Sequence, residues 1–127
     1  MFSHFMIGAN DIEASRKFYD AVLSTIGVGP GRLDDKGRCF YLNPMIPLII
    51  AQPLDGQPAS GANGGTIGFS AKTPAAVDAW HAAGVSHGGT SCEDPPGWRS
   101  GNGGRTYYAA YLRDPADNKL CAVHHPG

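Results

Sequence analysis

Few side chains in this sequence combine the types and the spacing that chemistry requires. His4 opens a short apolar stretch near the N-terminus, and Cys121 lies in another apolar stretch near the C-terminus. An imidazole and a thiolate can bind zinc together, although a zinc site normally has three or four protein ligands. The same pair could serve as base and nucleophile if the histidine lowered the pKa of the thiol. Because Leu120 and Ala122 flank Cys121, a buried thiol acting as a small apolar side chain is the simpler interpretation.

A group of tyrosines could line a site for a small organic molecule. Tyr107 and Tyr111 fall on one face of a predicted strand, and Tyr108 falls on the other. A ring with a polar tip suits the wall of a ligand cleft, but it suits an ordinary half-buried sheet equally well. The pattern therefore makes Tyr111 a candidate without deciding between the two interpretations.

The segment 91–105, rich in Gly and Pro, carries Trp98 and Arg99 at its middle. A long loop in a compact domain is often a lid or a contact surface. The alternative is a connector whose Trp98 packs on the body of the protein. The guanidinium of Arg99 or Arg105 could pair with a carboxylate or phosphate of a ligand.

Composition limits the class of protein that could hold these residues. The chain has 127 residues, 42% of them apolar, which suits one compact domain. A net charge of −1 offers no surface for nucleic acid or anionic membranes. No apolar run approaches the roughly 20 residues of a membrane span, and no signal peptide is recognisable. Three cysteines without a CxxC spacing predict reduced thiols and a cytoplasmic protein.

Local signals predict a strand, a helix and three further strands in the first half. The first strand covers 5–7, and Asn10 is predicted to cap the helix, with Glu13 at the reciprocal capping-box position. The three strand-like pieces are 31–34, 39–42 and 48–52, with turns at 35–37 and 43–44. The polar, Gly-rich stretch 53–65 is predicted to be a linker.

The same order returns in the second half. A strand at 66–71 precedes a helix that Thr73 caps, with Pro74 in its first turn and Gly84 at its predicted end. The remaining strand-like pieces are 89–93, 106–112 and 120–124. Setting His4 opposite Thr66 also brings Phe18 opposite Trp80, and we call this pairing of the two halves the repeat alignment. The sequence therefore predicts two similar modules, at about 1–60 and 64–127, within one domain.

Two stretches carry a resemblance to a known family. The helix sequence ANDIEASRKFYDAVL and the closing sequence YLRDPADNKL resemble the vicinal oxygen chelate superfamily of glyoxalase I, extradiol dioxygenases and bleomycin-resistance proteins. The resemblance implies an α+β fold of two βαβββ modules that form an open cleft, and commonly a homodimer. Asp117 stands where the family usually has glycine, but Asp tolerates a positive φ, so we expect the turn to form.

The resemblance also implies where a metal would bind. Metal-dependent members take one ligand from the first and one from the fourth strand of each module. In this sequence those positions are His4, Ile50 (or Gln52 with a shift of two positions), Thr66 and Cys121. A hard divalent ion prefers imidazole and carboxylate ligands, and this set contains no carboxylate. The set therefore does not support glyoxalase I or dioxygenase chemistry.

The sequence favours a cytoplasmic protein that binds a small organic ligand in a cleft without an obligatory metal or other cofactor. The predicted cleft residues are His4, Ile50, Gln52, Thr66, Trp98, Arg99, Tyr111 and Cys121. The alternative is a lyase or isomerase of the glyoxalase I type, or a dioxygenase, with zinc, nickel or iron in a degenerate site that keeps His4. The expected partners are a small molecule and a second copy of the chain, with no nucleic acid and no membrane.

Overall fold

The computed structural model describes residues 1–42 and 45–127, so the turn expected at 43–44 lies outside the described residues. In these ranges two helices and nine strands form an α+β fold. The first half contains β1 (Phe5–Gly8), α1 (Ile12–Ser24), β2 (Arg32–Leu33), β3 (Cys39–Tyr41) and β4 (Leu48–Ala51). The second half contains β5 (Ile67–Ser70), α2 (Pro74–Ser86), β6 (Thr90–Ser91), β7 (Gly97–Ser100), β8 (Thr106–Arg113) and β9 (Lys119–His124).

Each half builds its own sheet, and neither sheet closes on itself. The first sheet has the order β1-β4-β3-β2 and the second the order β5-β9-β8-β6, with β7 also paired to β8. In both, the first strand of the module runs parallel to the last, and the other pairs are antiparallel. The two βαβββ modules are confirmed, and module two has one additional strand, β7.

The segment 91–105 is not the long loop that its composition suggested. Gly97–Ser100 forms β7 and pairs antiparallel with β8, with Trp98 opposite Tyr108. The hairpin closes through a hydrogen bond from Gly101 N to the Arg105 carbonyl and a short 3-10 turn at Asn102–Gly104. The Gly and Pro content belongs to the turns at both ends of this strand, so the prediction of an open loop was wrong.

The repeat alignment holds for the first strand and the helix of each module. The ends of β5 match those of β1, and the ends of α2 match those of α1, without any gap in the alignment. The helix N-caps also correspond. Asp11 Oδ1 accepts from Ala14 N at 3.1 Å, and Thr73 Oγ1 accepts from Ala76 N at 3.0 Å. The predicted cap at Asn10 was therefore wrong by one position, whereas that at Thr73 is confirmed.

The two helices pack against each other and against one face of the sheets. The largest fully buried side chains of this core include Trp80, Tyr19, Tyr41 and Phe18. Gly84 lies inside α2 and does not end it, which corrects the prediction. A Cβ at this position would lie 2.3 Å from Leu112 Cδ1. The glycine is required there by close packing between the helices and β8.

A buried carboxylate connects the two modules. Asp114, in the turn between β8 and β9, accepts hydrogen bonds from Tyr19 Oη at 2.5 Å and from the side-chain amide of Asn118 at 2.8 Å. The same amide donates to the Gly8 carbonyl at the end of β1. Asp117 has a φ of 72°, so the turn forms with Asp in place of glycine, as expected. A buried network whose members are satisfied in this way fixes one packing of the modules.

Within residues 1–42 and 45–127, no helix is both long enough and apolar enough to cross a membrane. Cys39, Cys92 and Cys121 are free thiols.

Candidate ligand-binding site

Each sheet has one face on the helices and one face turned away from them, which we call the open face. In β1, Phe5 and Ile7 pack on the core, so Met6 and Gly8 belong to the open face. In the second sheet, Leu120 and Ala122 belong to the core. The open face there carries the alternate residues Lys119, Cys121 and Val123 of β9 and Tyr107, Ala109, Tyr111 and Arg113 of β8.

Four of the sequence-predicted residues lie on the open faces. His4 and Thr66 each precede the first strand of a module by one position, are exposed, and continue the open-face alternation. Tyr111 and Cys121 are cross-strand partners in β8 and β9. Tyr108 lies on the helix side, where its hydroxyl donates to Asp78 at 2.7 Å, so the predicted division of the tyrosines is confirmed.

Ile50 belongs to the core and does not reach the open face. It is 0% exposed and packs with the helices. Met6 pairs with Ile49 in the first sheet, as Gly68 pairs with Cys121 in the second. Ile49 is therefore the equivalent of Cys121, and the predicted position was wrong by one. A shift by one position moves a side chain to the opposite face of a sheet.

The residues at the positions implied for a metal do not suit one. They are His4, Ile49, Thr66 and Cys121, of which one is apolar and none is a carboxylate. In the described ranges, no group of three or more His, Cys, Asp or Glu side chains is arranged to hold a metal ion. Burial and then the charge of Glu93 raise the pKa of the Cys121 thiol, partly opposed by Lys119. A neutral thiol is a poor ligand and a poor nucleophile.

Trp98 and Arg99 point to opposite faces of β7. Trp98 lies on the helix side, edge-on to Tyr108 with ring centroids 5.4 Å apart, and is 55% exposed. Arg99 pairs in register with Tyr107 on the open-face side. Its Nη1 and Nη2 donate to the carbonyls of Gly97 and Asp94, both at 3.0 Å. Trp98 therefore lies apart from the predicted residues of the open faces, whereas Arg99 lies on their side with its guanidinium held against its own turn.

Sequence reasoning missed an ionic cluster on the second open face. Lys119 forms an ion pair with Glu93 and lies 5.3 Å from the centroid of the Tyr111 ring. The hydrogen bond to Glu93 raises the pKa of Lys119, and burial opposes it. Glu93 adopts a left-handed conformation with a φ of 57°. The alternation of Lys119 and Cys121 in β9 could have shown their common face, but the position of Glu93 depends on this turn geometry.

A groove beside the first open face was also missed. It encloses about 610 Å³ between Met6, Gly8 and Ala51 on the sheet and the linker residues 53–55 and 58–62. Gln52, a predicted site residue, lines it from the end of β4, where its side-chain amide donates to the Asn10 carbonyl at 3.3 Å. Gln52 is thus at a cavity, although not at the position implied for a metal ligand.

The linker that walls this groove is held in place at two points. Ala59 N donates to Asn10 Oδ1 at 2.7 Å. Gly61 has a φ of 76° and packs so closely on the β8–β9 turn that a Cβ would lie 2.6 Å from the Asp117 carbonyl oxygen. Asn10 therefore anchors the linker and does not cap the helix. The stretch lacks helix and strand, as predicted, but it is a fixed wall.

Arg38 brings a fixed positive charge to the same groove. Its Nε and Nη2 lie 2.7 Å and 2.6 Å from Asp34 Oδ2, and its guanidinium carbon lies 5.2 Å from the centroid of the Phe40 ring. Burial tends to raise the pKa of Asp34, but hydrogen bonds from Arg38 and from the turn backbone lower it overall. The carboxylate therefore stays ionised and orients the guanidinium.

Several solved structures are similar to this chain over nearly its whole length. A glyoxalase/bleomycin resistance protein from Albidiferax ferrireducens T118 is 54% identical, with a TM-score of 0.93 over 98% of this chain and 99% of that one. A glyoxalase/bleomycin resistance protein/dioxygenase family enzyme from Burkholderia phytofirmans PsJN has a TM-score of 0.73 at 18% identity, covering 99% and 100%. A lactoylglutathione lyase from Agrobacterium tumefaciens has a TM-score of 0.64 at 22% identity, covering 95% and 91%.

The second and third similarities, at 18% and 22% identity, show the fold alone. No protein-family model and no curated protein matches the chain.

Proposed function

The chain belongs to the glyoxalase/bleomycin resistance protein family, and from this premise we propose that it binds a small organic molecule on its open faces without an obligatory metal. The observation that carries the proposal is the set His4, Ile49, Thr66 and Cys121 at the positions implied for a metal. One imidazole and a protonated thiol, with no carboxylate, cannot neutralise a divalent ion. A surface that can contact an organic molecule but has no set of metal ligands is suited to binding that molecule without a metal.

The surroundings of these positions support binding of an organic molecule. Met6 is 51% exposed beside the apolar Ile49 and Ala51 on the first open face. The second open face offers the phenol ring of Tyr111 and the charged pair of Lys119 and Glu93. Apolar surface with a few placed polar groups is typical of small-molecule sites. The proposal includes a homodimer, as the resemblance implies.

Metal analysis of the purified protein tests the proposal against its alternative, a metal-dependent lyase, isomerase or dioxygenase that keeps His4. We expect no stoichiometric zinc, nickel or iron in protein that is purified without a chelator. A thermal-shift screen of metabolites should reveal ligands, since a ligand that binds only the folded state raises the melting temperature. Stoichiometric metal that is lost in His4→Ala would overturn the metal-free proposal. His87→Ala, which removes an exposed histidine at the end of α2 and outside this set, is the matched control.

A further inference from the structure

We propose that the groove between the first open face and the linker is the binding site for a small organic anion, with Arg38 as the residue that recognises its carboxylate or phosphate. This inference rests on the proposed function and deepens it, because it names the class of ligand and the part of the open faces that takes it. The fixed wall of the groove, the guanidinium of Arg38 and the apolar floor each support the assignment.

The groove exists in the free chain because its wall is tied down. The bond from Ala59 N to Asn10 and the close packing of Gly61 on Asp117 hold the linker at two successive points. A site formed before binding loses little conformational entropy when the ligand arrives. A volume of about 610 Å³ lies within the usual range for small-molecule sites, roughly 300–1,000 Å³.

The guanidinium of Arg38 is the cationic group that lines the groove, whereas its partner Asp34 is not among the lining residues. Arg38 directs Nε and Nη2 to one oxygen of Asp34, and in the described part of the chain its Nη1 has no hydrogen-bond acceptor. The pair with Asp34 and the ring of Phe40 orient the guanidinium and leave this donor for a ligand. Asp55, the acidic residue of the wall, is exposed and accepts from Gln57 N at 2.9 Å. A guanidinium held in one plane matches the geometry of carboxylate and phosphate oxygens.

The floor and the rim of the groove are apolar. Met6 is 51% exposed, and Leu54 is fully exposed at the linker. Exposed side chains of this size contribute nothing to the core, but they would contact the hydrocarbon part of a bound molecule. The ligand class is therefore an anion with a compact apolar or aromatic body.

Fragment binding, followed by ¹⁵N–¹H NMR, tests the inference. The probes are benzoate and phenyl phosphate, with benzyl alcohol as the neutral and benzylamine as the cationic counterpart. We expect the anions to shift the amide signals of residues 51–61, and Arg38→Gln to weaken their binding at least about 10-fold. Comparison of the two anions distinguishes a carboxylate site from a phosphate site. Leu54→Ser should weaken all aromatic probes without changing the melting temperature.

Two further variants control for charge and for folding. Arg105→Gln removes the same charge from an exposed turn of module two and should leave binding unchanged. Arg38→Lys keeps the charge but loses the planar fork, so it should bind the anions more weakly than the parent chain and more tightly than Arg38→Gln.

The outcomes separate this inference from the function on which it rests. Equal anion binding by Arg38→Gln and the parent chain overturns the inference, as does tighter binding of benzylamine. Probes that shift the signals of Tyr111 and Lys119 instead overturn it and leave the proposed function standing. If no probe of any charge binds up to millimolar concentrations, while the thermal-shift screen yields a ligand, only the inference fails. If both experiments are negative, both fail.

Discussion

The two modules share a backbone plan and differ on the faces that their sheets turn away from the helices. The first open face is apolar around Met6 and Ile49, with a groove against the linker. At the equivalent place, the second open face carries Cys121 beside the ionic pair of Lys119 and Glu93. This difference indicates that the core determines the shape of each module, whereas the residues of the open faces can differ without changing that shape.

The two helices also share their backbone arrangement and differ in their side chains. α1 and α2 have identical lengths and equivalent caps, but the five positions that α1 buries all hold different residues in α2. In the repeat alignment, Val22 is opposite Gly84, Tyr19 is opposite His81 and Ser15 is opposite Val77. The packing between the modules is therefore asymmetric, and exchanging residues between equivalent positions tests how much of the asymmetry is required.

Gly84→Val, which gives α2 the residue of α1, should have the largest effect. A Cβ at position 84 would lie 2.3 Å from Leu112 Cδ1 and 3.1 Å from Val22 Cγ1. We expect the free energy of unfolding to fall by about 3 kcal/mol, because Leu112 and Val22 are both fully buried and the added side chain would overpack the core. Urea denaturation measures the change. Gly84→Ala should destabilise the fold by less, because it adds a single methyl group and because alanine is a better helix former than glycine by about 1 kcal/mol. Unchanged stability in both variants would mean that the helices can separate at no cost.

Tyr19→Phe removes a hydrogen bond that module two does not have. Tyr19 Oη donates to the buried carboxylate of Asp114, whereas His81 at the equivalent place contacts Ser91 Oγ at 2.9 Å. We expect a loss of about 2 kcal/mol by urea denaturation, because a bond to a charged, buried acceptor is stronger than an average one. Tyr107→Phe is the matched control, since Tyr107 makes no side-chain hydrogen bond to the described residues. Equal losses in both variants would contradict this role.

The same tyrosine should make stability depend on alkaline pH. Burial and then the charge of Asp114 raise the pKa of Tyr19 well above its usual value of 10.0. The unfolded chain then releases this proton first, so the stabilisation is complete below about pH 10 and decreases as the pH rises above that value. Tyr19→Phe should lose this component of the alkaline decrease.

The sequence predicted the order of elements in the two modules, because hydrophobic spacing and turn residues are local signals. The prediction failed where the face to which a strand residue points depends on pairing with a strand that is distant in the sequence. β4 consists of Leu48, Ile49, Ile50 and Ala51, all buried. A strand without polar residues has no visible alternation, so only its pairing with Met6 shows which residues face outward.

The cap of α1 was missed for a different reason. Asn10 and Asp11 are both good cap residues, and local preference does not choose between them. The repeat does choose, because the repeat alignment sets Thr73 opposite Asp11. The second function of Asn10, its bond to the distant Ala59, carries no local signal. The groove beside the linker could not be predicted either, because it also depends on contacts between residues that are distant in the sequence.

The smallest predicted effect is a gain in stability from Ser15→Ala. Ser15 is buried in α1, and its hydroxyl has no hydrogen-bond partner in the described part of the chain. Val77 occupies the equivalent place in α2 and is equally buried, so the core of this protein accepts an apolar side chain there. A buried hydroxyl without a partner costs about 1–3 kcal/mol of desolvation, and alanine is the better helix former. The loss of the packing contacts of one oxygen atom opposes these gains, but its effect is small.

We therefore expect Ser15→Ala to raise the free energy of unfolding by about 1 kcal/mol, measured by urea denaturation. Ser24→Ala in the last turn of the same helix is the control. Ser24 is exposed, and its hydroxyl donates to the Ala21 carbonyl at 2.8 Å, so its replacement should change stability by no more than about 0.5 kcal/mol. A loss of stability in Ser15→Ala would mean that the hydroxyl is satisfied by bound water. In that case Ser15 would have to stay polar, although the equivalent position of α2 holds the apolar Val77.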